Sequence, residues 1–212
     1  MFATRQSVRR SRAVTTVVTV AGFGGVAALM LTTPAAAHSG TGLPGGLMSG
    51  FRHPFGGFDH LLAMVSVGLW GTFLGRPLLY ALPVIFPAMM VGGAILGMFG
   101  VSVPPVEIGI ALSVLVLGGC IVLSLRAPVW VASLIVATFA LFHGYAHGKE
   151  LPSAADPIGY SVGFVLATGL LHASGIGVGF LNDRPGGALV IRGVGGIIGV
   201  TGAWFLYEAL GF

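Results

Sequence analysis

Apolar residues come in long blocks after residue 53, and short polar or proline- and glycine-rich stretches separate these blocks. Each block is close in length to the ~20 residues that a helix needs to cross the hydrocarbon core of a bilayer. We therefore predict six transmembrane helices, and the short connections between them predict antiparallel neighbours. The predicted spans are residues 54–75, 78–99, 104–125, 128–148, 157–180 and 189–211.

Proline or glycine marks nearly every break between the predicted spans, as expected where a helix ends. None of the connections is long enough for a soluble domain. The fold class that follows is an all-α polytopic membrane protein, with a single six-helix transmembrane domain over residues 38–212. The breaks fall at Arg76-Pro77, Gly100 to Pro105, Arg126 to Pro128, Lys149 to Pro157, and Asn182 to Gly187.

Residues 1–37 have the order of charged and apolar residues that is typical of a secretory signal peptide. Four arginines lie within the first twelve residues, an apolar run extends to Leu31, and the small residues Ala35 and Ala37 follow. We predict cleavage after Ala37, which would make His38 the first residue of the mature chain. The apolar run is longer than that of most signals, so an uncleaved membrane anchor is the alternative.

Positive charges orient the predicted helices, because lysine and arginine favour cytoplasmic loops. The loops that contain Arg76, Arg126 and Arg184 all lie on one side of the membrane in the predicted topology. The loops on the other side contain no arginine after Arg52. We therefore predict that both ends of the mature domain face the outside.

Composition supports a membrane location and argues against a soluble domain and a nucleic-acid-binding protein. Hydrophobic residues make up 55% of the 212 residues and charged residues only 8%, whereas a soluble domain carries about 25% charged residues. The net charge of +4 comes from the arginines of the predicted signal, because the rest of the chain has six basic and six acidic residues. We therefore expect no nucleic-acid partner. Cys120 is the single cysteine, so no disulfide can form within the chain.

Two short groups of histidine and carboxylate residues are candidates for function, because ionisable residues are costly inside a membrane. The first is His-Pro-Phe-Gly-Gly-Phe-Asp-His, from His53 to His60. The second is Phe-His-Gly-Tyr-Ala-His-Gly-Lys-Glu, from Phe142 to Glu150. In the predicted topology both groups lie at the outer face, at the start of the first helix and the end of the fourth.

The spacing of the first group predicts that its polar side chains lie on one helix. Pro54 suits the first turn of a helix, where its missing N–H costs nothing, and His53 then takes the capping position. His60 returns to nearly the same face two turns later. Asp59 directly precedes His60.

In the second group, His143, His147 and Glu150 can share one helix face. Imidazole and carboxylate without thiolate suit borderline divalent ions such as Ni²⁺, Co²⁺, Zn²⁺ or Cu²⁺. The two groups form one site only if the first and fourth helices pack together. The predicted metal site consists of His53, Asp59, His60, His143, His147 and Glu150.

Four further residues are weaker candidates for the path of the metal. Glu107 lies near the outer start of the third predicted helix, and His172 lies near the middle of the fifth. Met64 follows His60 by one turn. His38 would combine an imidazole with the new amino terminus after cleavage, and such a pair can chelate metal.

Other functions remain open at this point. In a purely structural alternative, His53 and Asp59 are helix caps near the lipid headgroups, and His143 and His147 form hydrogen bonds between helices. The same residues would hold Zn²⁺ and activate water in an intramembrane hydrolase, and Ser174 beside His172 is a weaker candidate for a serine hydrolase. A sensor or docking subunit would bind metal without moving it, although the short loops offer little docking surface.

The chain resembles the HupE/UreJ family of hydrogenase and urease accessory permeases for nickel and cobalt. The second group matches a family motif fully, and signal, length and six segments are similar over essentially the whole chain. The first family motif is matched by His53-Pro54, Gly57, Asp59-His60 and Leu62-Ala63-Met64.

The resemblance implies uptake of Ni²⁺ or Co²⁺ across the inner membrane of a bacterium, with metal-handling roles for the histidine and carboxylate residues of both motifs. It implies a transporter and not an enzyme, with the ion as substrate rather than cofactor; Zn²⁺ would also bind such residues. The chain has no Walker-type nucleotide loop. The expected partners are the ion and the lipid bilayer, and a homo-oligomer is left open.

Overall fold

The computed structural model of the protein describes residues 46–103, 105–151 and 156–212, and the structural statements below concern these residues. The predicted signal peptide and His38 lie outside them. The described part is helical apart from its connections. Its helices are α1 (Leu47–Gly56), α2 (Phe58–Leu74), α3 (Leu78–Met98), α4 (Val106–Val122), α5 (Val129–Glu150), α6 (Pro157–Gly179), a short 3-10 helix (Phe180–Asp183) and α7 (Gly187–Ala209).

Four of these helices, α3, α5, α6 and α7, are long and apolar enough to cross a membrane. Helices α1 and α2 meet this description only as a pair that is bent by 87°. Helix α4 is apolar but has 17 residues, about 26 Å at the usual helical rise. The fold is therefore that of an all-helical membrane protein, and its helices are separated where proline and glycine predicted the breaks.

The outside of the helices is apolar, as a lipid-facing surface must be. The branched side chains of Val84, Leu134, Leu189 and Val200 are each more than half exposed. Exposing so much apolar surface to water would be unfavourable for a monomeric protein. Contact with lipid tails has no such cost. Polar groups such as His60, Ser113, His143 and His172 are instead buried between the helices.

The first predicted span is wrong in its local structure. Helix α1 begins at Leu47 and continues through Pro54, so Pro54 is not in the first turn and His53 does not cap a helix. The chain bends at Gly57, which has an extended backbone and precedes α2. Proline near the end of α1 disturbs few helical hydrogen bonds, and the paired glycines Gly56 and Gly57 then end the helix.

Three helix pairs form most of the packing, α2 with α6, α3 with α5, and α4 with α7. Glycine brings their backbones close together. A Cβ atom added at Gly144 of α5 would collide with the backbone of Met90 in α3, and one added at Gly68 of α2 would collide with the backbone of His172 in α6. Small residues favour this close approach where the surrounding lipid offers no hydrophobic drive.

The pairing of helices has an internal symmetry. The bent pair α1–α2 counts as the first segment, and α3 to α7 as the second to sixth. The first segment then packs on the fifth, the second on the fourth, and the third on the sixth. Exchanging the two halves of the chain maps the first contact onto the second and the third onto itself. Transporters built from inverted repeats have this kind of relation between halves.

Two long-range hydrogen bonds hold the end of the bundle that contains Arg76, Arg126 and Arg184. The indole nitrogen of Trp70 donates to the carbonyl of Leu125 at 3.0 Å. The guanidinium of Arg192 donates to the carbonyl of Val122 at 2.8 Å. These carbonyls lie at and just after the end of α4, where a helix lacks its own donors, so the bonds fix α4 to α2 and α7.

Candidate metal site

Gly57 positions the end of the first motif. A Cβ atom at this residue would lie 2.8 Å from a carboxylate oxygen of Asp59 and 3.2 Å from the Nδ1 atom of His60. Because glycine has no Cβ atom, the carboxylate of Asp59 and the imidazole of His60 can occupy this space at the bend. The glycine of the motif is explained by this contact.

Asp59 holds His60 in a defined orientation. Its Oδ1 atom accepts a hydrogen bond from the backbone N–H of His60 at 2.7 Å and lies 2.8 Å from the ring Nδ1. An ionised carboxylate only accepts, so Nδ1 carries the proton and Nε2 carries the lone pair. Nε2 is buried and has no hydrogen-bond partner. A carboxylate behind a histidine is a common support for metal-binding imidazoles.

The two motifs meet in the structure. The ring of His147 lies 4.7 Å from that of His53 and 4.7 Å from that of His60, measured between centroids. The ring of His143 lies 4.7 Å from that of His60. We call these four residues the histidine chain, in the order His53, His147, His60 and His143. The last three are almost completely buried, whereas His53 is half-buried.

Aromatic rings surround the end of the histidine chain that contains His53 and His147. Phe164 of α6 lies 4.5 Å from the ring of His147, and Tyr160 lies 5.8 Å from the ring of His53. A cleft with a volume of about 70 Å³ lies between α3, α5 and α6 and reaches His147. The lining of this cleft is almost entirely apolar, so it gives the ring of His147 apolar surroundings.

Ser113 of α4 supports His143 at the other end of the histidine chain, and it was not among the residues predicted from the sequence. Its hydroxyl lies 2.9 Å from the Nε2 atom of His143 and donates to the carbonyl of Ile110 at 2.6 Å. The Nδ1 atom of His143 is buried and has no hydrogen-bond partner. A single serine in an apolar helix gives no signal in the sequence, because its partner depends on how α4 packs against α5.

His172 is not part of the histidine chain, but Phe86 contacts both His172 and His143. The ring of Phe86 is 5.6 Å from that of His143 and 5.4 Å from that of His172. Both ring nitrogens of His172 are buried and make no full hydrogen bond, although the carbonyl of Pro83 interacts with the ring. Pro87 has no N–H to give this carbonyl, so it lacks its helical donor.

The remaining candidates have less defined places. Met64 is completely buried one turn after His60. Glu107 is exposed in the first turn of α4. Glu150 is the last residue of α5, and its side chain is outside the described part of the structure. His172 lies about 22 Å along α6 from Pro157 at the usual helical rise, which is somewhat past the middle of that helix.

The rings of the histidine chain pack edge against face. The ring planes make angles of 86° for His60 with His143 and 83° for His53 with His147. Among the described histidine, cysteine and carboxylate side chains, no group of three or more is arranged to hold a metal ion. Coordination by three of these side chains therefore requires the rings to turn.

Comparison with known proteins identifies the family. A sequence model described as HupE / UreJ protein matches residues 26–205, which include both motifs and every described helix except the end of α7. The chain belongs to the HupE/UreJ family. Protein HupE of Rhizobium leguminosarum bv. viciae is 42% identical over 177 residues, which are 83% of this chain and 93% of that protein. No solved structure matches the chain significantly.

HupE/UreJ proteins are accessory nickel and cobalt transporters of the permease type and not enzymes. Family membership therefore confirms the prediction that the chain is not an enzyme, and the two hydrolase alternatives are set aside. The structure agrees for Ser174, which is exposed and donates its hydroxyl to the carbonyl of Leu170 at 2.8 Å.

Proposed function

We propose that this protein takes up Ni²⁺ or Co²⁺ across the inner membrane of a bacterium and so supplies enzymes such as hydrogenase or urease. The observation that carries the proposal is the histidine chain, in which both motifs bring imidazoles into contact inside a membrane protein. Ionisable groups in such a place are costly and mark the paths of ions. Imidazole nitrogen is a good ligand for these two ions.

The proposed topology has six membrane spans after a cleaved signal peptide, with both ends of the mature domain outside. Helix α4 and the bent pair α1–α2 complete the six spans. The start of α2 and the end of α5 meet at His60 and His147, at the end of the bundle away from Arg76 and Arg126. The positive-inside rule places these arginines in the cytoplasm, so the histidine chain faces the outside.

In the proposed mechanism, a hydrated ion reaches the outer face and exchanges water for imidazole nitrogen. The lone pairs at His60 Nε2 and His143 Nδ1 receive it, and the rings turn away from their edge-to-face contacts. Asp59 and Glu150 offset the charge of the ion where the surroundings become apolar, with Glu107 at the start of α4. Binding must stay moderate, because conduction requires release as well as capture.

The inner part of the proposed path leads from His143 past Phe86 to His172. His172 offers ring nitrogens without a full hydrogen bond, and the carbonyl of Pro83 interacts with its ring. The carbonyl of Pro83, which lacks a helical donor, and a neutral imidazole are suitable ligands for a cation that has left the histidine chain. Phe86 separates the two positions, so the ion would pass only when this ring moves.

The membrane potential can drive the proposed uptake without ATP. A membrane potential that is negative inside favours entry of a cation by about 2.3 kcal/mol for each positive charge and each 100 mV. A divalent ion therefore gains about 4.6 kcal/mol at 100 mV, enough to concentrate it more than a thousandfold.

Radioactive nickel uptake tests the proposal. Cells that lack their own nickel importers would express the wild type, His60→Ala or His147→Ala, with equal amounts in the membrane. We expect uptake by the wild type and loss of uptake in both variants, because each variant interrupts the histidine chain. Ser66→Ala is the control, since Ser66 is equally buried but belongs to neither motif. Wild-type cells that accumulate neither nickel nor cobalt above empty cells would overturn the proposal.

A further inference from the structure

Ser113 and His143 define between them which nitrogen of the imidazole is protonated. The Ser113 hydroxyl oxygen lies 2.6 Å from the carbonyl oxygen of Ile110. Two oxygen atoms at this separation need a proton between them, because their lone pairs would otherwise repel. The single hydroxyl proton is therefore used on Ile110, and Ser113 has only lone pairs to offer to His143.

It follows that the Nε2 atom of His143 carries a proton and donates it to Ser113 over 2.9 Å. A neutral imidazole has one protonated nitrogen and one lone pair. The lone pair is then on Nδ1, which is buried and has no hydrogen-bond partner. The opposite tautomer would bury the Nδ1–H donor without an acceptor and would direct the Nε2 lone pair at a lone pair of the Ser113 oxygen 2.9 Å away.

His60 is held in a complementary way. Asp59 occupies its Nδ1 atom, so its lone pair is on Nε2. The two rings are 4.7 Å apart, and each has one nitrogen occupied by a support and the other bare. A carboxylate supports one ring and a serine hydroxyl supports the other, although the two supports belong to different helices.

We propose that Ser113 is a positioning residue that holds His143 in the tautomer with a bare Nδ1 atom, ready to bind a divalent ion. The proposal deepens and rests on the proposed transport function. Metal ions bind only the unprotonated nitrogen of an imidazole. Ser113 therefore contributes to affinity without touching the ion, and its loss leaves His143 free to present the wrong nitrogen.

The tautomer is tested directly in the absence of metal. Full-length protein in lipid would be labelled with ¹⁵N in histidine, and the His143 signals would be assigned by their loss in His143→Gln. We expect a protonated Nε2 and a bare Nδ1 in the wild type, and a mixture or the opposite tautomer in Ser113→Ala. A wild-type ring with a bare Nε2 would overturn the proposal.

The consequence for metal is tested with the same variants. In Ser113→Ala we expect nickel affinity to fall and the uptake KM to rise, each by about 10-fold or more, the usual effect of losing a supporting hydrogen bond. Ser113→Thr keeps a hydroxyl and should recover most of the affinity. Ser66→Ala is the matched control, because Ser66 Oγ is also completely buried but has no hydrogen-bond partner.

The outcomes separate the two proposals. If Ser113→Ala and Ser66→Ala have the same nickel affinity and KM, Ser113 is not a positioning residue, even though the wild type transports. If the wild type takes up neither nickel nor cobalt, the transport function is wrong, and the ¹⁵N spectra still decide the tautomer.

Discussion

The imidazoles of His60 and His143 lie 4.7 Å apart although they belong to different motifs in different halves of the chain. Each ring has a support at one nitrogen, from Asp59 for His60 and from Ser113 for His143. The two nitrogens that remain are buried and have no hydrogen-bond partner.

The first prediction concerns the bend between α1 and α2. Gly57→Ala should abolish or strongly reduce nickel uptake, because its Cβ would press on Asp59 and on the ring of His60. Uptake per folded protein is the measurement. Gly56→Ala is a matched control, since a Cβ at Gly56 has no atom within 4 Å. Equal uptake by the two variants would show that the bend does not position the site.

The second prediction concerns the support of His60. Asp59→Asn should raise the KM for nickel by about 10-fold or more, because the amide no longer carries the charge that holds Nδ1–H and offsets the ion. Asp183→Asn, in an exposed 3-10 helix, should leave the KM unchanged. An unchanged KM in Asp59→Asn would mean that the carboxylate serves only the helix start.

The third prediction separates capture from translocation. His172→Ala should lower the maximal rate of uptake into proteoliposomes by about 10-fold or more, since the ion loses its next ligand beyond Phe86. Equilibrium nickel binding should change by less than about 2-fold, because the histidine chain is intact. Leu171→Ala removes a neighbouring buried side chain and controls for lost packing. A fall in binding equal to the fall in rate would contradict separate inner and outer positions.

The fourth prediction concerns the contact between α3 and α5. Gly144→Ala should lower the thermal stability of the purified protein, because its Cβ would collide with the backbone of Met90 and overpacking typically costs about 1–3 kcal/mol. Gly119→Ala should not destabilise, since no atom lies within 4 Å of its added Cβ and alanine favours a helix. Equal melting temperatures for the two variants would contradict the close packing.

Several features could be predicted from the sequence. The long apolar blocks and the breaks at Pro77 and Pro128 follow from local chemistry, so the predicted spans after the first agree closely with the helices of the structure. The spacing of His143 and His147 also defines a shared helix face before any packing is known.

Other features depend on packing that the sequence does not reveal. Pro54 is compatible with the start of a helix and also with its last turns, so the pattern alone did not place the bend at Gly57. Ser113 is a single serine in an apolar helix, and its contact with His143 arises only because α4 packs against α5. The contact of Phe86 with His143 and His172 likewise arises from three different helices.

Nickel binding to the purified full-length protein tests most directly whether the two motifs form one site. The comparison is between the wild type, His60→Ala from the first motif and His143→Ala from the second. We predict that the wild type binds nickel at one shared site and that either substitution removes the same ion. Retention of that ion with unchanged affinity in either variant would contradict a site built from both motifs.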